Sequence, residues 1–287
     1  MKKKILILGS SGMIGNTFLR FFNQKSELIV IATVRSIVSM KTLPNLYKYN
    51  LISNVDLENM EHLQKLFELE KPHVVINCAG LIKQSEEAGD HVKMIYINSL
   101  FPHHLANLSL KYNFRLIHLS TDCVFSGSKG NYSENDCTDA LDLYGRSKSL
   151  GEVYYPNTIT IRTSLIGHEL NSSRGLLGWF LSQSGDIEGY KKAIFSGLTT
   201  FEIAQVIYKY LLQNTNLKGL YHISADPINK HDLLLLIKDV YDKTINVIPE
   251  DTKVVVDRSL DSTRFRKATG FLPKPWPLMI KEMSNFR

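Results

Sequence analysis

Through the first 165 residues, short runs of isoleucine, valine and leucine alternate with longer segments whose apolar positions recur at helical spacing. The runs at residues 4–8, 28–34, 74–78, 115–119 and 158–162 carry little polar interruption. A strand with one wet face alternates apolar and polar side chains, so these runs predict strands covered on both faces. The segments between them predict helices near residues 14–24, 57–69, 91–112 and 143–154. Strands alternating with helices specify an α/β fold built on a Rossmann-type, doubly wound parallel sheet.

Beyond Ser164 the rhythm loosens. A glycine-rich stretch over residues 167–197 precedes a predicted helix at 201–212, a strand at 220–224, a helix at 230–241 and a proline-rich tail. This pattern predicts a smaller, less regular subdomain over residues 165–287, interwoven with a regular one over 1–164. No internal repeat or low-complexity tract interrupts the chain.

Composition narrows the function classes. Lysine and arginine number 34 against 28 aspartate and glutamate, a net charge of +6 that is scattered rather than gathered into an arm or stripe. Scatter predicts a solvated basic surface, not nucleic-acid binding, and suits phosphate-bearing small ligands. Cys78, Cys123 and Cys137 are odd in number and lack metal-ligand spacing. Neither a disulfide framework nor a metal site is expected, and a reducing cytoplasmic setting fits. Lys2, Lys3 and Lys4 ahead of apolar residues look superficially like a signal peptide, but the uninterrupted run is only Ile5 to Leu8. No segment approaches the roughly 18 apolar residues that span a bilayer, so no membrane association is expected.

The strongest chemical signal is Gly9-Ser10-Ser11-Gly12-Met13-Ile14-Gly15, which follows the first strand and opens the first helix. Gly9 suits the tight turn, Gly12 a close approach of backbone to pyrophosphate, and Gly15 close packing of helix on strand. Phosphates would rest on the helix N-terminus. After the second strand comes Thr33-Val34-Arg35-Ser36, where an NAD-selective site has an acidic residue; Arg35 there favours a 2′-phosphate, or is a surface arginine. Asp56 could accept from an adenine amino group, and is equally a natural N-cap for a helix starting at Leu57.

Two more strands end in chemistry. Asn77-Cys78-Ala79-Gly80 offers small residues against which a ribose could lie, and Ser120-Thr121-Asp122 puts two hydroxyls and a carboxylate at the sheet edge where open α/β folds bind ligands. In Tyr144-Gly145-Arg146-Ser147-Lys148 a phenol and an ammonium stand at i and i+4 on one helix face. A nearby ammonium favours phenolate and lowers a phenol pKa from its usual value near 10. Such a tyrosine could protonate a carbonyl oxygen as hydride reaches carbon.

The glycine fingerprint, the Ser/Thr after the fifth strand and the Tyr-x-x-x-Lys pair, in this order, resemble the extended short-chain dehydrogenase/reductase family over nearly the whole chain. More narrowly, the run Ser120-Thr121-Asp122-Cys123-Val124-Phe125-Ser126-Gly127, then Tyr132-Ser133-Glu134, Tyr144 to Lys148 and Gly151-Glu152 are similar to dTDP-4-dehydrorhamnose reductases. The resemblance implies an NADPH-dependent oxidoreductase, with NADH an option, acting on a nucleotide-linked 4-keto-6-deoxy sugar for bacterial polysaccharide synthesis. It implies that Gly9, Ser11, Gly12, Met13, Ile14, Gly15, Arg35, Asp56, Cys78, Ala79, Gly80 and Lys148 contact the cofactor. Thr121 would orient the keto oxygen, Tyr144 donate the proton, and Lys148 hold the nicotinamide ribose while lowering the Tyr144 pKa. Asp122, Val124 and Arg258 would face substrate, the last through its diphosphate. Asn98 matches a supporting helix asparagine, although helix packing accounts for it equally. A homodimer is compatible with this reading.

The chain departs from the family at Gly80-Leu81-Ile82-Lys83-Gln84-Ser85, at Ser259 where proline is usual, and at Cys123 where an aromatic residue is usual. Several of these positions would face the sugar, so a UDP-linked 2-acetamido-4-keto-6-deoxyhexose is a rival substrate. A dehydratase or epimerase on the same fold would carry an acidic pair after the threonine, but Asp122 is followed by Cys123. A non-catalytic nucleotide-sensing subunit is a third reading, against which the intact Thr121, Tyr144 and Lys148 argue.

Overall fold

The apolar runs lie side by side in one sheet. In the computed structural model, which describes residues 2–44, 48–84, 86–170 and 172–286, the strands β1 (Lys3–Leu8), β2 (Leu28–Thr33), β3 (Asn50–Ile52), β4 (Val74–Asn77), β5 (Arg115–Thr121) and β6 (Thr158–Thr163) form its first part. The Gly219–His222 strand adds beyond β6, giving seven strands in the order β3, β2, β1, β4, β5, β6 and Gly219–His222. Every pairing in this sheet is parallel. The fold is the doubly wound α/β architecture that the sequence pattern predicts.

β1 shows why the runs are continuous. Ile5 and Ile7 pack into one core with Phe18 and Phe22, while Leu6 and Leu8 pack into the other with Phe67 and Phe101. All four β1 side chains are fully buried. The chain runs outward from β1 through β2 to β3, then returns to place β4 on the other flank of β1. This reversal opens a crevice outside the carboxyl ends of β1 and β4.

The structure differs from the sequence expectation at several boundaries. The short edge strand β3 is partly exposed and has too few apolar residues to register as a run. The helix expected from Leu57 begins at Met60, because Asn59 rather than Asp56 caps it by accepting from the His62 amide at 3.0 Å. The helix expected over 143–154 is Leu143–Leu150, ending where Glu152 turns inward. The helix expected over 91–112 is His91–Ile95 and Phe101–Lys111 joined by a π turn at Tyr96–Leu100. The glycine-rich stretch holds a helix, Leu176–Ser182, and the proline-rich tail holds two, Thr263–Thr269 and Trp276–Asn285. Among the described residues, no helix is long and apolar enough to cross a membrane.

Candidate active site

The turn after β1 is built for close approach. Gly9 has φ of +80°, a left-handed conformation that glycine adopts without strain, and a Cβ there would press on the Ala79 backbone at 3.0 Å. A Cβ on Gly15 would collide with the Gly9 carbonyl and the Ser10 backbone, so the helix α1 (Met13–Phe22) sits directly on the turn. Gly12 differs: the nearest atom to a Cβ there is the Gly9 carbonyl oxygen at an ordinary 3.5 Å. Nothing in the chain itself requires glycine at position 12, whereas a ligand lying on this turn would.

Two adjoining cavities open at the crevice. The smaller, of about 240 Å³, is lined by Gly9, Ser11, Gly12, Arg35 and Asp56. The larger, of about 450 Å³, is lined by Met13, Ile14, Thr121, Asp122, Tyr144 and Lys148, and also by Arg258. Cys78, Ala79, Gly80 and Leu81 line both and form the wall between them. A dinucleotide fits this plan, with one nucleoside in each cavity and the pyrophosphate across Gly12.

At the larger cavity, β5 ends at Thr121 and the helix Leu143–Leu150 brings Tyr144 to it, its N-terminus capped by Asp142, which accepts from the Gly145 amide at 3.0 Å. Thr121 and Tyr144 line the same cavity, and the Thr121 hydroxyl donates to the Asp122 carboxylate at 3.1 Å. Burial pushes the phenol pKa well up, the neighbouring Cys123, Asp122 and Asp142 add to that, and Thr121 opposes it. The Lys148 Nζ donates to the Leu119 carbonyl at 2.7 Å. The expected net lowering of the Tyr144 pKa is corrected: desolvation dominates at this phenol and raises it. Burial in turn brings Lys148 down to about 8, against the opposing pull of Glu152 and Cys78.

A second set of residues holds these in place. Asn98, in the π turn, donates to the Leu81 carbonyl and accepts from the Leu81 amide, each at 2.9 Å, and also donates to the Ser147 hydroxyl at 3.2 Å. It ties the cavity wall to the helix bearing Tyr144 and Lys148. Beneath the sheet edge, Glu152 and Arg162 form a buried two-bond pair at 2.7 Å. Glu152 also accepts from the Ser120 hydroxyl at 2.7 Å.

The substrate end rests on the loop after β5. Phe125 and Tyr132 stack with ring centroids 4.1 Å apart, and the Tyr132 hydroxyl accepts from the amides of Gly127 and Lys129. The His222 amide donates to Glu134 at 2.9 Å. The Tyr132-Ser133-Glu134 motif thus shapes this loop. Arg258 Nε donates to the Phe125 carbonyl at 2.8 Å, which fixes a guanidinium that lines the cavity. Asp122 is buried, and burial raises its carboxyl pKa against the opposing charge of Arg258.

Two expected residues lie outside both cavities. Gly15 acts through packing, as above, and Val124 is fully buried in a small cluster with Phe125, Tyr132 and Leu260. Val124 cannot touch a ligand in the cavity, because its position after Thr121 points it into that cluster. Arg35 lines the smaller cavity but is paired with Glu87. Lys83, in the departing segment expected to face the sugar, lines the larger cavity, whereas sequence reasoning missed Glu87 and Lys93 in the smaller. It also missed Thr163 and Ser164, although both follow directly on β6 and their strand-end position was a usable signal. Of the departing segment at 80–85, Ser85 lies outside the described residues.

The family described as the RmlD substrate binding domain matches residues 2–285. Among curated relatives, a dTDP-4-dehydrorhamnose reductase from Aggregatibacter actinomycetemcomitans is 24% identical over 313 residues, covering 99% of both chains. Methionine adenosyltransferase 2 subunit beta from Rattus norvegicus is 28% identical over 150 residues, covering 52% of this chain and 42% of that one. Among solved structures, a dTDP-4-dehydrorhamnose reductase from Bacillus anthracis in complex with NADP superposes with a TM-score of 0.77 at 21% identity, covering 99% of each chain. That likeness shows the fold.

Proposed function

The chain belongs to the RmlD substrate binding domain family, and on that premise we propose that it is an NADPH-dependent reductase of a nucleotide-linked 4-keto-6-deoxy sugar. The carrying observation is that Thr121, Tyr144 and Lys148 line one cavity, which adjoins the Gly9 and Gly12 site through the shared wall at residues 78–81. The curated dTDP-4-dehydrorhamnose reductase relative supports the substrate class over its full length.

What the dinucleotide supplies when bound is a hydride for the keto carbon. As the carbonyl electron pair moves onto oxygen, Tyr144 gives that oxygen its proton, and the product is the 4-hydroxy sugar. A proton donor must hold its proton until then, and a phenol does so at neutral pH. Thr121 orients the keto oxygen through its hydroxyl. Lys148, fixed by the Leu119 carbonyl, holds the ribose. Arg258 receives the substrate diphosphate, a partner that suits its forked donors. Residues 165–287 supply the substrate side through Leu165, Gly175 and Arg258, against a cofactor side from residues 1–164. We place the protein in the cytoplasm.

The test follows NADPH absorbance with dTDP-, UDP- and GDP-linked 4-keto-6-deoxy sugars, including a UDP-linked 2-acetamido sugar. Oxidation that requires one of these sugars supports the reading and identifies the substrate. Tight NADPH binding without turnover on any of them overturns it in favour of a nucleotide-sensing subunit.

A further inference from the structure

The smaller cavity holds a charge arrangement that the cofactor reading does not by itself explain. Arg35 Nη1 lies 2.9 Å from Glu87 Oε1 and 3.0 Å from Oε2, and Lys93 Nζ lies 2.7 Å from Glu87 Oε1. All three line the same cavity as Gly9, Gly12 and Thr33. Arg35 follows the carboxyl end of β2, where a dinucleotide fold places the adenosine ribose. Asp56 and Glu58 also line this cavity, so its two cations face three carboxylates, and both cations are held by one of them.

We propose that Glu87 is a resident competitor for the cofactor's 2′-phosphate, and that Arg35 and Lys93 together form the phosphate site which Glu87 fills in its absence. The inference rests on the cofactor reading above. A dianionic phosphate is a stronger partner than a carboxylate for an arginine fork and an ammonium. The Arg35 half of the resident pairing is cheap to break, because the Arg35 side chain is 67% exposed and exposed ion pairs contribute little, whereas Lys93 and Glu87 are about a third exposed. Glu87 therefore does not forbid NADPH; it lowers the preference for it over NADH. Without the 2′-phosphate, NADH leaves the Arg35–Glu87–Lys93 arrangement intact and is indifferent to Glu87. Glu87 is thus a specificity-determining residue, and Lys93 a second phosphate ligand beside Arg35.

Isothermal titration of the full-length protein with NADP+ and with NAD+ tests this without turnover. Glu87→Gln keeps the side-chain shape and removes the charge. It is expected to tighten NADP+ by roughly tenfold, the scale of one like charge removed from a partly solvated contact, with NAD+ changed less than about twofold. Lys93→Gln is expected to weaken NADP+ by roughly tenfold with the same small effect on NAD+. A ratio of the two affinities that moves in neither variant, including the case where both affinities shift equally, overturns the inference while leaving the cofactor reading in place. Wild-type protein that binds neither dinucleotide overturns both. Should Glu87→Gln fail to fold, Lys93→Gln alone decides, since an unmoved ratio there removes the phosphate site.

Discussion

Asn98 grips the backbone of Leu81 at both of its polar groups, donating to the carbonyl and accepting from the amide at 2.9 Å each. The gripped segment forms the wall shared by the two cavities. Removing the carboxamide strands both backbone groups, a penalty of about 2 kcal/mol. Asn98→Ala is expected to lose about that much in urea unfolding. In initial-rate measurements it should raise KM for cofactor and for substrate together, because the wall serves both.

Gly12 and Gly15 separate binding from folding. Gly12 has φ of −78°, open to any residue, and room for a methyl group. Gly12→Ala should therefore keep the wild-type melting temperature and lose NADP+ binding in titration. Gly15→Ala drives a methyl group into the Gly9 carbonyl, so it should lower the melting temperature as well. A Gly12→Ala protein that binds normally would remove the pyrophosphate from this turn.

The Glu152–Arg162 pair has side chains only 2% and 4% exposed. Breaking a pair this deeply buried leaves one charge uncompensated and costs about 3–5 kcal/mol. Arg162→Met is expected to fall in that range by chemical denaturation. The Glu152→Gln, Arg162→Met double variant should lose clearly less than the sum of the singles, since it leaves no lone buried charge.

Lys148 sets a pH dependence. Its folded pKa of about 8 lies below that of an unfolded lysine. Between about 8 and the ordinary lysine value near 10.4, the unfolded chain binds more protons, so this group makes stability rise with pH across that window. Activity should run the other way if the ammonium holds the ribose: kcat/KM should fall as pH rises through about 8. Lys148→Met should remove that stability rise and abolish most activity, read from a pH series of melts and of initial rates.

The scaffold was legible where chemistry and pattern coincide. β1 is buried on both faces from Ile5 to Leu8, so each of those positions is apolar, and the glycine spacing after it answers to backbone contacts at Gly9 and Gly15. The Trp276–Asn285 helix was hidden because Pro277 stands in its first turn, a position proline favours but which reads as a breaker in a proline-rich tail. Asp56 was read as a helix cap although Asn59 is the one that reaches the helix amides. The support around the site was not legible. Arg162 lies within a strand of alternating threonine and isoleucine, and its partner Glu152 is ten residues earlier across a turn. Glu87 and Lys93 meet Arg35 only through the fold, at a sequence separation of 52 residues for the Arg35–Glu87 contact. Tyr144 and Lys148 were found by their spacing, yet their electrostatics were misread, because burial is invisible along the chain.

The most direct test of the account compares wild type with Tyr144→Phe, measuring NADPH oxidation with the substrate found in the sugar panel alongside NADP+ affinity. The account requires unchanged NADP+ binding and a kcat lowered by roughly 10²–10⁴-fold, the contribution of a positioned proton donor. A Tyr144→Phe protein that turns over at the wild-type rate would contradict it, and the proton would have to come from another group.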